Sequence, residues 1–348
     1  MGSEMCIRDR HVGTCWRCHT PIEILPRTQW FMRTTSLREL VEEKANAITW
    51  IPQYAKQRLL DWVKSMDWDW VISRQRVFAT PIPVWYCKKC GNTIVAKPEW
   101  LPVDPREQPP PINSCPKCGS QDFIGESDVM DTWMDSSITC AVIAGWPDDM
   151  ELFNKLYPND LQPNGYDIIR TWDYYLLVRH LALFGEIPYK VALINGMVRG
   201  TDGRMMHKSY GNYIEVKEVI EKYCADALRQ WAAGGSTGYD IRFRWEDVDY
   251  AWRFLIKLWN ASKFVISNLS DYDFSKPKNL RPLDLWLLTK LRRVIEEVTN
   301  AMEAMRFNEA LDAIRNFTWH VFCDHYIEAV KYRLYGQSTT ESKRAAQY

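Results

Sequence analysis

Six of the ten cysteines stand in three Cys-x-x-Cys pairs: Cys15/Cys18, Cys87/Cys90 and Cys115/Cys118. Two such pairs together make the closed tetrahedral thiolate set that holds structural zinc. Cys87/Cys90 and Cys115/Cys118 are each followed at once by a glycine, Gly91 or Gly119, which lets the chain turn so that backbone amides face the thiolates. Two independent buried pairs are the alternative. Cys15/Cys18 form a half site with no partner pair in this sequence, although His11 and His19 are near enough along the chain to substitute. The second reactive stretch is "DGRMMHKSYGN", Asp202–Asn212. Lys208 there offers a mobile point charge for phosphate oxygens, or is a solvated surface lysine. The loop is not a Walker loop, since G-x-x-x-x-G-K-[ST] is absent. In "GYDIIRTW", Gly165–Trp172, Asp167 either caps a helix or accepts hydrogen bonds from a ribose or an ammonium group. Trp133 and Trp172, two of 17 tryptophans, read each by itself as core more readily than as ligand wall.

The surrounding patterns say what would position these groups. "TPIEILP" reads as a strand. "SLRELVEEKANAI" and "QYAKQRLLDWVKSM" read as amphipathic helices. "TPIPVWYCKKCGNTIVA" reads as strand, tight turn, strand, and the proline-rich 102–114 cannot hold a helix. "DIIRTWDYYLLVRHLALFG" is dense enough in apolar residues for a buried helix, and "YKVALINGMVR" for a strand buried on both faces. The Lys208 loop therefore falls between a strand and the helix "EVKEVIEKYCADALRQWAA", the place where α/β folds bind phosphate. From about Trp245 onward, three stretches of more than 20 residues read as long helices, which predicts a helical bundle after an α/β region. Cys140, Cys224 and Cys323 sit in apolar surroundings and are expected in the core.

Composition narrows the class. The 348 residues carry no net charge, which excludes attachment to nucleic acid by bulk charge alone, and the 46% apolar content suits a globular chain. No apolar run has the length of a membrane span, so no membrane partner is expected. The start lacks the apolar core of a signal peptide, and paired Cys-x-x-Cys then points to zinc in a reducing, cytoplasmic setting. "MCIRDR", Met5–Arg10, resembles the translation of a sequencing adapter, so residues 1–10 are set aside as an artefact.

Taken in order, these pieces resemble the class I aminoacyl-tRNA synthetases of the valyl, isoleucyl and leucyl group, with the archaeal-type valyl branch the best fit. The family's Lys-Met-Ser-Lys-Ser-x-Gly-Asn signature aligns on Met205–Asn212. "CWRCHTPIEILPRTQWF", "WDWVISRQRVFATPIPVWYC", "DVMDTWMDSS", "GYDIIRTW", "INGMV" and "ADALRQWAAGGS" match as well. The resemblance spans residues 11–336. It implies activation of L-valine by ATP, with Mg²⁺, and transfer to tRNA(Val). It implies Lys208 as the catalytic cation on the departing pyrophosphate. Gly165, Asp167, Asn195, Gly196 and Ser209 join it at the ATP site. Trp133 and Trp172 become the walls of the amino-acid pocket. The isoleucyl branch would carry Arg-Gly-Trp-Phe and Trp-Phe-Asp-Ser-Gly where this chain has Arg170-Thr171-Trp172 and "WMDSS". A non-catalytic zinc-ribbon RNA-binding module is the rival from another class; from Ala251 onward there are 15 Lys/Arg against 11 Asp/Glu.

The resemblance also sets the expected layout. Residues 11–35 are the tail of an editing insertion, 36–80 the helices leading into the catalytic domain, and 81–126 a zinc ribbon. Residues 127–215 are the second half of a Rossmann-type catalytic domain, 216–250 a stem-contact region, and 251–348 a truncated anticodon-binding bundle. The family's His-x-Gly-His signature is missing, and "HVGT" at His11 is a decoy, because Thr14 replaces the second histidine. The chain is thus expected to be a monomeric, inactive fragment. Met205 replaces the signature's first lysine, with Arg204 beside it as a substitute cation; His207 replaces a serine, and Ile168 a glutamine frequent in relatives.

Overall fold

The computed structural model describes residues 12–15 and 18–348, with Ser209 described by its backbone alone. The adapter-like residues 1–10 and the His11 decoy lie outside the described residues. The described residues form two compact units, those up to 35 with 67–135, and 36–66 with 136–348. Of residues 36–80, the two helices fall in the second unit and residues 67–80 in the first.

The first unit is built on short strands. Phe31–Met32 pairs with Trp70–Val71, and Ser73–Arg74 with Val129–Met130, both antiparallel. "TPIEILP" is not a strand; among the described residues it makes an isolated Thr14–Pro21 bridge and no ladder. The ribbon is a three-stranded antiparallel sheet in which Val84–Cys87 lies between Thr93–Val95 and Phe123–Gly125. Trp85 is buried and donates its indole N–H to Gln108 O at 2.7 Å, pinning the proline-rich loop.

The second unit carries a parallel sheet of three strands in the order Thr49–Ile51, Tyr189–Asn195, Asn159–Gly165. Its core gathers Val41, Leu59, Val63, Leu176, Leu177 and Ile194, all nearly inaccessible. These come from the amphipathic helices Arg38–Ala45 and Ala55–Ser65, the helix Tyr174–Phe184, and the central strand. The "DIIRTW" helix does not begin as an α-helix. A 3₁₀ turn (Tyr166–Ile168) and a π turn (Ile169–Asp173) precede Tyr174–Phe184, which ends on the left-handed Gly185. The helix expected over 215–233 is two, Val216–Lys222 and Ala225–Ala233, broken at Cys224 with φ 116°. Cys224 is only half-buried, packed against the edge of the Val219–Ala227–Trp231 core, whereas Cys140 and Cys323 are buried as expected.

The long helices follow: Trp245–Ser267, Pro282–Glu303, and Phe307–Leu334, the last running through a π segment at Phe317–Ile327. A final helix, Thr340–Gln347, is capped by the Thr339 hydroxyl accepting from Ser342 N. No helix among the described residues is long and apolar enough to cross a membrane.

Candidate nucleotide site and metal centre

The central parallel strands set the nucleotide-site candidates in register. Asn195, the last residue of Tyr189–Asn195, pairs with Gly165, the last of Asn159–Gly165. Gly165, Asn195 and Gly196 therefore stand side by side at the carboxyl edge of the sheet, where open α/β sheets bind ligands. Gly196 has a steric reason to be glycine: an added Cβ would lie 1.9 Å from Tyr239 O, a backbone atom that cannot step aside. At Gly165 an added Cβ would meet the Asp167 carboxylate at 2.5 Å. Asp167 is exposed within the 3₁₀ turn and makes no capping bond, so the cap expected for it is not formed.

A buried polar chain holds this edge. Asn164 Oδ1 accepts from Gly165 N at 2.9 Å, and its amide donates to the fully buried Asp173 carboxylate. Tyr189 OH donates to the other Asp173 oxygen at 2.9 Å. Burial pushes the Asp173 carboxyl up to about 7, despite both donors. The protonated form is thus favoured by folding. Its stabilisation is complete below the unfolded value near 4 and fades as pH rises through 7. Asp173→Asn should remove this slope: relative to the parent, the variant should gain stability from pH 5 to pH 8, by at most about 1.4 kcal/mol per pH unit. Parallel urea-melt profiles for the two proteins would contradict it. His180, also buried, hydrogen-bonds Tyr157 OH at 2.8 Å; burial lowers it to about 4. It therefore contributes the opposite trend in acid, which the comparison cancels.

The Lys208 loop is closed by its own side chains. Asp202 accepts from Arg204 N at 2.9 Å, from Arg204 Nε at 2.8 Å and from Asn212 Nδ2 at 3.1 Å. Asn212 also donates to Met205 O and accepts from His207 N at 2.9 Å. The Arg204 amide and the Asn212 amide group hold the Asp202 carboxyl down to about 2. Arg204 is thereby committed to Asp202, and its guanidinium lies 5.4 Å from the Tyr210 ring centroid. Lys208 opens a short 3₁₀ turn, Lys208–Tyr210, and is exposed, its ammonium 5.7 Å from the Tyr213 ring. Of Ser209 only the backbone is described. Met205 is also exposed, and Met206 packs on the core of the following helices. Behind the loop, Arg199 pairs with Asp240, Nε to Oδ2 at 2.7 Å. The sequence pattern does not reveal Asp202, Asn164, Asp173 and Asp240 as organisers. An Asp directly before Gly203 in a loop is the one available signal, since Asp there accepts local backbone N–H groups.

The two tryptophan candidates belong to different compact units. Trp172 lies in the π turn, half-buried on the core, and donates its indole N–H to Ser136 O at 3.2 Å. Trp133 is half-buried in the helix Thr132–Ser136, where Asp131 Oδ1 accepts from its backbone N at 3.1 Å.

In the ribbon the four sulfurs of Cys87, Cys90, Cys115 and Cys118 lie within 4.8 Å of one another. Cys87 Sγ is 3.5 Å from Cys118 Sγ, and Cys90 Sγ 3.7 Å from Cys115 Sγ. An ion bound tetrahedrally at about 2.3 Å needs sulfurs roughly this far apart. Both knuckles have one design. Gly91 N donates to Cys87 O and Gly119 N to Cys115 O, both at 2.8 Å, with the glycines left-handed at φ 68° and 72°. Burial opposes charge on Cys87, but the backbone N–H groups of Cys90 and Lys89 outweigh it and bring the thiol down to about 6. Residues and spacing fit a tetrahedral cation such as zinc. The Cys15/Cys18 pair repeats the knuckle: His19 N donates to Cys15 O at 2.7 Å and Cys15 N to Thr20 O at 2.8 Å, with His19 itself left-handed at φ 60°. Cys18 is exposed and hydrogen-bonds Thr20 Oγ1, which brings its thiol down to about 7.

Comparison with known proteins gives the family. Residues 22–244 match the family described as tRNA synthetases class I (I, L, M and V), and residues 284–348 the anticodon-binding domain of tRNA ligase. The valine–tRNA ligase of Archaeoglobus fulgidus is 55% identical over 98% of this chain, and that of Methanocaldococcus jannaschii 53% over 97%. The chain spans about two-fifths of their length, 39% and 38%. Among solved structures, Mycobacterium tuberculosis methionyl-tRNA synthetase in complex with methionyl-adenylate superposes with a TM-score of 0.71 at 19% identity, over 97% of this chain and 59% of that one. An Agrobacterium radiobacter leucyl enzyme in a ternary complex superposes at 0.63 and 23% identity, over 80% and 38%. These likenesses show the same fold. A parallel-sheet edge bearing the Gly165 turn, a Lys208 loop between strand and helix, and a following helical domain belong together: the chain is a member of the class I tRNA synthetases (I, L, M and V).

Proposed function

We propose that this chain is a portion of a valine–tRNA ligase, in which valine and ATP give valyl-adenylate and pyrophosphate and the valyl group then passes to the 3′ end of tRNA(Val). The observation that carries the reading is the register of Gly165 with Asn195 at the carboxyl edge of the sheet, ahead of the exposed Lys208. The resemblance to archaeal valine–tRNA ligases supports the choice of amino acid. In this reading the valine carboxylate attacks the α-phosphorus as the bond to pyrophosphate breaks. Catalysis is then positioning and charge stabilisation. Gly165 lets the ribose approach closely, and the exposed Asp167 carboxylate accepts from its hydroxyls. Gly196 and Asn195 line the adenylate, with Ser209 on the phosphates. Lys208, on a flexible stem, neutralises the leaving pyrophosphate beside Mg²⁺. The Asp202–Asn212 clamp sets where the loop turns, so the lysine and not the loop does the searching. Trp172 bounds the valine side chain. Zinc held by Cys87, Cys90, Cys115 and Cys118 would be structural, because a closed four-sulfur set leaves no open position. Cys15 and Cys18 are proposed as half of a second set.

A chimera tests this: residues 22–348 replace the corresponding segment of the A. fulgidus enzyme. It should support valine-dependent ATP–pyrophosphate exchange. Lys208→Ala should lower kcat by about 10²–10³ with little change in the KM for valine, and Met205→Lys should not slow the reaction. Exchange driven by isoleucine instead would move the chain to the isoleucyl branch. The 348-residue chain alone should show no exchange.

A further inference from the structure

The Asp173 carboxylate is wholly buried at the end of the π turn Ile169–Asp173, and both of its side-chain partners are donors. Asn164 Nδ2 donates to its Oδ2, and Tyr189 OH to its Oδ1 at 2.9 Å. Among the described residues no cation pairs with it; burial and these two hydrogen bonds set its charge. The other titratable groups packed against it stay neutral. Burial pushes the Tyr189 hydroxyl up, and the Cys140 thiol, on the helix Thr139–Ile143, up to about 12. His180, further along the helix that follows Asp173, is held down to about 4. Near neutral pH, then, Asp173 is the group of this cluster that gains or loses a proton.

A proton added to this carboxyl needs an acceptor, and both neighbours are donors. On Oδ1 it would face the Tyr189 hydroxyl, which is completely buried and would have to turn its own hydrogen away from its acceptor. On Oδ2 it would face the Asn164 amide, which can turn over and present its carbonyl oxygen instead. That turn is felt one residue on, because Asn164 Oδ1 is the acceptor of Gly165 N at 2.9 Å. With the amide reversed, the Gly165 N–H meets an NH₂ group and loses its bond. Gly165 is half-buried at the edge of the sheet, so its N–H can find water; the Tyr189 hydroxyl cannot. An unpaired donor costs most where burial denies it water, so the amide is the group that turns.

We propose that Asp173 is a positioning residue of the nucleotide site: ionised, it holds the Asn164 amide in the orientation that fastens Gly165, and protonated, it reverses that amide and frees the Gly165 N–H. The turn that admits the ribose is then loosened in acid and firm in alkali. This deepens the reading of Gly165 as part of the ATP site and rests on it; the proton relay itself does not.

In the 348-residue chain, labelling asparagine carbonyls with ¹³C and glycine with ¹⁵N selects the two Asn-Gly steps, so the signals are those of Gly165 and Gly196. Asn164→Gln removes the first and so assigns it. The Gly165 amide proton should move upfield as the pH falls through about 7. In Asp173→Asn it should keep the acid position at every pH. In Tyr189→Phe, where the ionised carboxylate has lost a donor, the change should move to higher pH. In the A. fulgidus chimera the KM for ATP in pyrophosphate exchange should rise about two- to tenfold through the same midpoint, the worth of one neutral hydrogen bond, with kcat little changed. Asp173→Asn should show the higher KM throughout. The histidines, His207 of the loop included, are present in every variant, so a titration of theirs is common to all. A Gly165 signal that ignores pH in the parent chain, or moves as far in Asp173→Asn, overturns the proposal. So does an active chimera whose KM for ATP in alkali is unchanged by Asp173→Asn. A chimera without exchange in any form is a failure of the functional reading, and the Gly165 signal then decides the relay by itself.

Discussion

Removing metal from the four-cysteine set should unfold the ribbon while the parallel sheet of the second unit stays folded. The ribbon has little else to hold it. Its strands Val84–Cys87, Thr93–Val95 and Phe123–Gly125 are three or four residues long. Its buried apolar side chains are few: Ile82, Val84, Trp85 and Ile94, with Pro105 and Pro110, beside Cys87 and Cys115. A bound structural zinc contributes on the order of 10 kcal/mol to such a domain, comparable to all of those side chains together at about 1.5–3 kcal/mol each when buried, so its loss removes a large share of what offsets the entropy of ordering the ribbon. Metal analysis of the purified chain should give close to one zinc, or up to two if the Cys15/Cys18 knuckle finds ligands. Cys115→Ser/Cys118→Ser or a strong chelator should expose the 97–122 segment to protease and release Trp85 into water, read as a red-shifted emission. A ribbon that stays protected without metal would sink the assignment.

Arg333→Met should be the most damaging single change in the helical domain, costing about 3–5 kcal/mol. Arg333 and Asp284 are both essentially inaccessible. The guanidinium meets the carboxylate twice, at 2.7 and 2.9 Å, and also donates to Ser342 O, at 2.8 Å from Nη2. Tyr326 OH and Arg281 N complete the carboxylate's partners at 2.9 and 3.0 Å. One charge pair thus ties the helices Pro282–Glu303, Glu328–Leu334 and Thr340–Gln347 together. Losing the arginine strands a buried carboxylate. The double change Arg333→Met/Asp284→Leu should recover most of the loss, because no charge is then left unpaired. Denaturant midpoints of the four proteins decide this. A single variant as stable as the parent would mean that water reaches Asp284.

Parts of this molecule were readable because their geometry is written locally. A Cys-x-x-Cys-Gly segment brings its own left-handed turn, and the sulfurs of Cys87, Cys90, Cys115 and Cys118 did converge. The helical bundle after Trp245 follows from apolar spacing alone. Other features contradict the local pattern. The apolar run after Gly165 winds first as 3₁₀ and π, because Asp173 is drawn inward to Asn164 and Tyr189. The predicted helix over 215–233 breaks at Cys224. "TPIEILP" had strand composition, but a strand exists only where a partner strand receives its hydrogen bonds.

By itself, then, the sequence determined the class of fold, the turn of each Cys-x-x-Cys-Gly knuckle and the position of Lys208 between strand and helix, since each depends on residues a few places apart. Only the tertiary structure decided which distant residues stand together. It set Gly165 against Asn195, closed Arg333 on Asp284 across 49 residues, committed Arg204 to Asp202, and lodged Asp173 between Asn164 and Tyr189. The reason is physical. Register and burial come from packing elements against one another, and a side chain's charge takes its meaning from the neighbours that packing supplies.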